Sequence, residues 1–195
     1  MAVTSRPRGV ARRDAILDAV ITVVAEFGVD GVTHRRVAET AGLPLASTTY
    51  WFASREAMLE AALRGAAAHD IVRLREGADA LADATDVADA LLSLMFDSGE
   101  DSLRSSHTHL LGAYALWLEA ARRPALRDVA IAWEETYVEV AATMLARAGS
   151  ADPAGHARVI VCAIDGLILQ QLVSGSTPEI RSTLHALITS MVSAR

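Results

Sequence analysis

Residues 33 to 52 read THRRVAETAGLPLASTTYWF, and this stretch decides the fold at the N-terminal end of the chain. The hydroxyl of Thr33 can cap a helix start, and a helix opened there runs through Thr40 with Val37, Ala38 and Ala41 turned inward. Gly42 is its stop. Pro44 suits the first position of a second short helix, which has room only to about Trp51 before Ser54 caps the next start. Helix, glycine turn and short helix at this spacing form a helix-turn-helix, whose second helix enters the DNA major groove while the first crosses the phosphates. Arg35 and Arg36 fit that use. Two cations in a first helical turn oppose the helix dipole by about 0.3 to 1 kcal/mol each, and a phosphate alongside would remove the conflict.

Working outward, Ile16, Leu17, Val20, Ile21, Val24 and Phe27 form one helical stripe, closed by Gly28. Downstream of Ser54 a long helix reaches the mid-seventies, where Gly77 and the polar Ala/Asp stretch from Ala78 to Asp86 loosen the pattern. Further helices are expected at about 86 to 97, 104 to 121, 125 to 148, 153 to 174 and 178 to 193. The caps of the last two are the most legible: Asp152 before Pro153, and Thr177 before Pro178, with Gly149 and Gly175 ending the preceding helices. No run alternates with period two, so the chain is all-α. It is expected to divide into a helix-turn-helix DNA-binding domain, residues 1 to 53, and a larger helical domain, residues 54 to 195.

Charge must be taken by region. The net charge is −6, yet residues 1 to 52 carry six arginines against five acids, leaving +1, while the remainder carries twelve against nineteen, leaving −7. There is no lysine, so strong phosphate contacts fall to arginine, backbone amides and hydroxyls. Arg6, Arg8, Arg12 and Arg13 read as a flexible arm that adds minor-groove or phosphate contacts. The single Cys162, among apolar neighbours, reads as a small buried hydrophobe of a reducing compartment. No apolar run approaches the ~20 residues that cross a bilayer, and no signal core follows the N-terminal charges, so a soluble cytoplasmic protein is expected.

The segment from about Arg12 to Leu63 resembles the TetR/AcrR family of transcriptional regulators: the Thr33-opened helix, Val37, Ala38, Ala41 to Gly42, the aromatic cluster Tyr50 to Phe52, and the step Ser54 to Glu56. Pro44, Thr49 and Trp51 depart from the family's usual cap, aromatic and His or Tyr. The resemblance implies a homodimer that binds a palindromic DNA operator and is released by a small-molecule effector. It places Thr33, Tyr50 and Arg55 at the DNA backbone and Phe52 in the core. With it, Leu45, Ala46, Ser47, Thr48 and Thr49 would face the groove, offering hydroxyls to base edges and apolar contact to thymine methyls, with Trp51 beside them.

Two further surfaces are expected in the C-terminal part. Residues 159 to 169, VIVCAIDGLIL, are apolar on nearly every face, too wide for one side of a monomeric bundle. With the helix carrying Val140 and Met144, they suggest a dimer interface containing Val161, Ala163, Ile164, Gly166 and Leu167. Met95, Phe96, His107, Leu110, Tyr114, Trp117, Trp133 and Tyr137 are candidates for an apolar pocket with polar tips, although each taken singly reads as core. His107 and His109 are two apart and point to different helix faces, so no metal site is assigned; no cofactor is implied. Without a nucleophile and base at helical spacing, or a phosphate loop, no enzyme is expected.

Overall fold

The computed structural model describes residues 8–81, 84, 86–96, 102–175 and 180–193. Among the described residues every regular element is helical: α1 (Arg8–Phe27), a short 3-10 turn (Val29–Gly31), α2 (His34–Thr40), α3 (Leu45–Trp51), α4 (Arg55–Ala80), α5 (Val87–Phe96), α6 (Ser102–Glu119), α7 (Pro124–Arg147), α8 (Pro153–Ser174) and α9 (Ile180–Ser193). The predicted boundaries stand within a few residues. The cap expected at Thr177 and Pro178 lies outside the described residues.

Local chemistry explains the ends. Asp152 caps α8 by accepting from the Gly155 N–H at 3.0 Å, and Ser54 caps α4 by accepting from the Ala57 N–H at 3.1 Å. α7 closes with Gly149 at φ 84°, and the Ser150 N–H returns to the Leu145 carbonyl, so two carbonyls left over at the helix end find donors. Gly77 does not end α4, which continues to Ala80. Its missing side chain instead admits Leu94 of α5, with which any Cβ would collide.

The chain forms two compact units, each described by itself: Met1–Ala68 with Asp101–Ala130, and His69–Glu100 with Ile131–Arg195. The expected division after residue 53 does not coincide with this packing. The start of α4 belongs to the first unit because Met58, Leu59, Ala62 and Leu63 are buried there. Buried beside them are the predicted α1 stripe from Ile16 to Val24, Val37 and Ala38 of α2, Phe52, and Leu116 of α6. Gly112 of α6 lies so close to α1 that a Cβ would collide with the Ile21 carbonyl oxygen. Phe27 departs from the stripe and is 54% exposed. The second unit packs Leu74, Leu91 and Leu92 with Ala141, Met144, Leu145, Ile160, Ile164, Leu184 and Ile188 in one core.

By length and composition alone, α8 is a helix that could cross a membrane, contrary to the expectation that no segment approached that length. Its sequence reads shorter because Asp165 breaks the apolar run. In the fold, Ala157, Ile160, Val161 and Ile164 form a buried face, and the opposite face is bare.

Candidate nucleic-acid interface and ligand surfaces

Thr33 accepts a hydrogen bond from the Arg36 N–H at 3.1 Å and so caps α2 as expected. At its other end Gly42 has φ 63°, and the N–H groups of Gly42 and Leu43 return to the carbonyls of Glu39 and Ala38. That pair of bonds turns the chain within three residues, and α3 follows. Pro44 stands at the N-cap of α3 rather than at its first helical position, contributing its carbonyl to the Ser47 N–H at 2.8 Å.

α3 is anchored by one face. Thr48 is fully buried, and its hydroxyl is placed against the carbonyls of Leu45, at 2.9 Å, and His34, at 3.3 Å. It fastens α3 to α2 and is withdrawn from the expected groove contacts. The remaining face is open: Leu45 is 50% and Tyr50 80% exposed, Ala46, Thr49 and Trp51 are exposed, and Ser47 is half-buried. Tyr50 and Trp51 meet edge to face at 5.3 Å.

The two arginines of α2 have different roles. Arg35 is exposed and pairs with Glu39, one turn on, at 2.9 Å; the Glu39 hydrogen bond and charge raise its pKa. Such a solvated pair is weak and exchanges readily for a phosphate. Arg36 turns back instead, donating to the Gly31 carbonyl and lying over the Phe27 ring at 4.5 Å. Its charge is therefore met by the carbonyl that ends the 3-10 turn and by an aromatic face, so the cation has partners without DNA. Arg55 is half-buried and reaches Asp30 at 3.4 Å. Arg8, Arg12 and Arg13 belong to α1 rather than to a flexible arm, and Arg13 sits 5.9 Å from the centre of the Phe52 ring. Arg6 lies outside the described residues.

The expected ligand residues are distributed over both units. His107, Leu110, Tyr114 and Trp117 belong to the first unit, and Trp133 and Tyr137 to the second. Met95 and Phe96 close α5, but their side chains lie outside what is described. Trp133 and Tyr137 converge on a residue the sequence did not single out: the Asp70 carboxylate accepts from Trp133 Nε1 at 3.0 Å and from the Tyr137 hydroxyl. Arg73 completes the group through Nε at 2.8 Å and Nη2 at 2.6 Å, and also donates to the Leu94 carbonyl. Burial first, then the Asp70 charge, push the Tyr137 pKa upward, so its hydroxyl remains a donor at neutral pH. Asp70 and Arg73 share an i, i+3 spacing, but nothing local ties them to aromatics more than sixty residues away. An open cleft of about 370 Å³ elsewhere is lined by Arg13 and by α4 residues including Glu60, Arg64 and Gly65; none of the expected ligand residues line it.

α8 leaves a second face uncovered, but the residues on it are not those expected. Val140, Met144, Val161 and Ile164, expected between subunits, are buried within the second unit, and Ala163 and Leu167 pack partly against its core. The outward stripe is Val159, Cys162, Gly166, Leu169 and Val173, spaced three or four apart; Val173 is 90% exposed and Cys162 is exposed rather than buried. Of the residues named for the interface, Gly166 lies on this stripe, with open space beside it. Asp86, Asp89 and His185 bring possible ligand atoms within 4.8 Å of one another, a grouping not visible in the sequence. Both acids are exposed, and Asp86 already accepts from the Ala88 and Asp89 N–H groups at the start of α5.

The family model described as "Tetracyclin repressor-like, C-terminal domain" matches residues 82–194. Among solved structures, the multidrug binding protein EbrR complexed with malachite green is 33% identical over 95% of this chain and 98% of its own, with a TM-score of 0.70. Other EbrR structures hold imidazole, ethidium and proflavin. A TetR-family member from Streptomyces coelicolor A3 is 34% identical, covering 93% of this chain and 98% of its own, at a TM-score of 0.68. A transcriptional regulator from Rhodococcus sp. Rha1, 22% identical over 92% and 95% of the two chains with a TM-score of 0.77, shares the fold. No curated protein matches the sequence.

Proposed function

The chain belongs to the TetR family of transcriptional regulators, and from that premise we propose that it is a repressor: a homodimer held on a palindromic operator by its helix-turn-helix heads and released by a small-molecule effector. The observation that carries the reading is α3, fixed by buried Thr48 on one side and presenting Leu45, Ala46, Thr49 and Tyr50 on the other. Ser47, Thr49, Leu45 and Ala46 offer hydroxyl and apolar contacts to base edges, with Trp51 beside them, while Thr33, Arg35, Tyr50, Arg55 and the N-terminal Arg6 and Arg8 serve the phosphates. The head is the functional DNA-binding segment, residues 1 to 53, and the rest of the chain carries effector binding and dimerisation.

The partner surface is the stripe Val159, Cys162, Gly166, Leu169 and Val173 of α8, an apolar row that a second copy would cover by two-fold symmetry. A small-molecule effector is supported by the EbrR complexes with aromatic dyes. Malachite green, ethidium and proflavin are cations. Two heads matching half-sites roughly 34 Å apart, and an effector favouring a different spacing, give release by population shift. A coupling of about 1 to 3 kcal/mol changes operator affinity 5- to 150-fold. The protein acts in the cytoplasm as a regulator, not as an enzyme.

Gel shift against the DNA flanking its own gene, run beside random DNA at two salt concentrations, tests the reading. Retention of the flanking DNA at the higher salt is expected, and equal retention of random DNA sinks it. Light scattering should return a dimer mass, and a short bis-maleimide should join two chains through Cys162.

A further inference from the structure

Asp70 is a carboxylate with 17% of its side chain exposed, surrounded by the indole N–H of Trp133, the hydroxyl of Tyr137 and the guanidinium of Arg73. A charge so far withdrawn from water needs a counter-charge: the two neutral donors both bond to Oδ2 and leave the charge uncompensated, and Oδ1 is met by Arg73. The counter-ion is Arg73, the outer member at 32% exposure, on a flexible stem from the same helix. The cluster thus has a permanent part, one carboxylate with two aromatic donors, and a removable part, one cation. We propose that Asp70, Trp133 and Tyr137 form an effector site for planar organic cations, and that Arg73 occupies its cationic position when no effector is bound.

The assignment rests on the reading of the chain as an effector-responsive regulator and names the class of its effector. A planar cation replacing the guanidinium keeps the charge pair and adds stacking and cation–π contact with two rings. The displaced Arg73 side chain, already one third exposed, turns to water. A neutral aromatic molecule of the same size cannot make the exchange, since it would strand the carboxylate, and an anion is repelled. Selection is therefore by charge first and shape second.

Ethidium fluorescence titration of the full-length dimer without DNA tests the site, with circular dichroism confirming that each variant is folded. Asp70→Asn, which keeps an acceptor for Trp133 but removes the charge, should weaken ethidium at least about tenfold. Arg73→Gln, which removes the internal competitor, should tighten it about threefold or more. Anilinonaphthalene sulfonate, an aromatic anion, should bind folded Asp70→Asn no more weakly than wild type. The proposal is overturned if wild type does not bind ethidium, or if folded Asp70→Asn binds it as well as wild type does. A parallel gel shift separates the two readings. Operator binding with ethidium affinity indifferent to Asp70 removes this site and leaves the regulator standing, whereas Asp70-dependent ethidium binding without operator binding does the reverse.

Discussion

α3 and α8 are both helices with one buried face and one open face, but they reach that state differently. α3 is seven residues long, entered through a fixed glycine turn, and a single buried hydroxyl, Thr48, sets its rotation. α8 is twenty-two residues long and apolar on almost every side, so its sequence leaves the rotation open. Its rotation is set by what α9 and the rest of the second unit supply: Ile160 and Ile164 turn into the core, and Val159, Leu169 and Val173 turn out. Where polarity is scarce, a pattern states that a second face needs cover without saying which residues occupy it.

The comparison is broken most directly by contrasting the two faces of α8. Ile160→Ala, at a position with no exposure, should cost about 2 to 5 kcal/mol in urea unfolding, whereas Val173→Ala should stay within about 0.5 kcal/mol. Equal losses would reverse the assigned faces. Val159→Glu combined with Leu169→Glu should convert the dimer to a folded monomer by light scattering with helicity retained; a double variant that stays dimeric moves the interface off this stripe.

The head allows a finer contrast between neighbouring arginines. Arg36→Gln removes a charged hydrogen bond to Gly31 and the stack on Phe27, a loss of about 1 to 3 kcal/mol in thermal unfolding. Arg35→Gln should leave the melting temperature in place and reduce the slope of log operator affinity against log salt by about 2 for a dimer losing two phosphate contacts. If the two variants behave alike, their division of labour is lost. Asp152→Ala, which removes the α8 cap, should cost about 0.5 to 2 kcal/mol in urea unfolding.

What was legible in the sequence was chiefly punctuation. Thr33, Gly42, Ser54, Asp152 and Gly149 act through their own backbone neighbours, so they can be recognised without knowing the fold. The periodic burial of Ile16 to Val24 was legible for the same reason. Three dimensions were needed for what followed. Arg36 appeared to need a phosphate because its partners, Gly31 and Phe27, lie across a turn. Thr48 resembled its hydroxyl-bearing neighbours until the His34 carbonyl came beside it. Asp70 gave no sign of its aromatic partners, because their meeting is a property of helix packing and not of any short motif.

Gly112 has a consequence for mechanics. With the Ile21 carbonyl oxygen and Cγ2 where a methyl group would otherwise stand, α6 meets the backbone of α1 with no side chain of its own as a cushion. Flexible side chains absorb small displacements by changing rotamer; a joint of backbone on backbone has no such slack. An ångström of axial travel in α6 must be handed on to α1 or must prise the two helices apart, so this crossing behaves as a rigid coupling, and its stiffness rests on a hydrogen atom at one position.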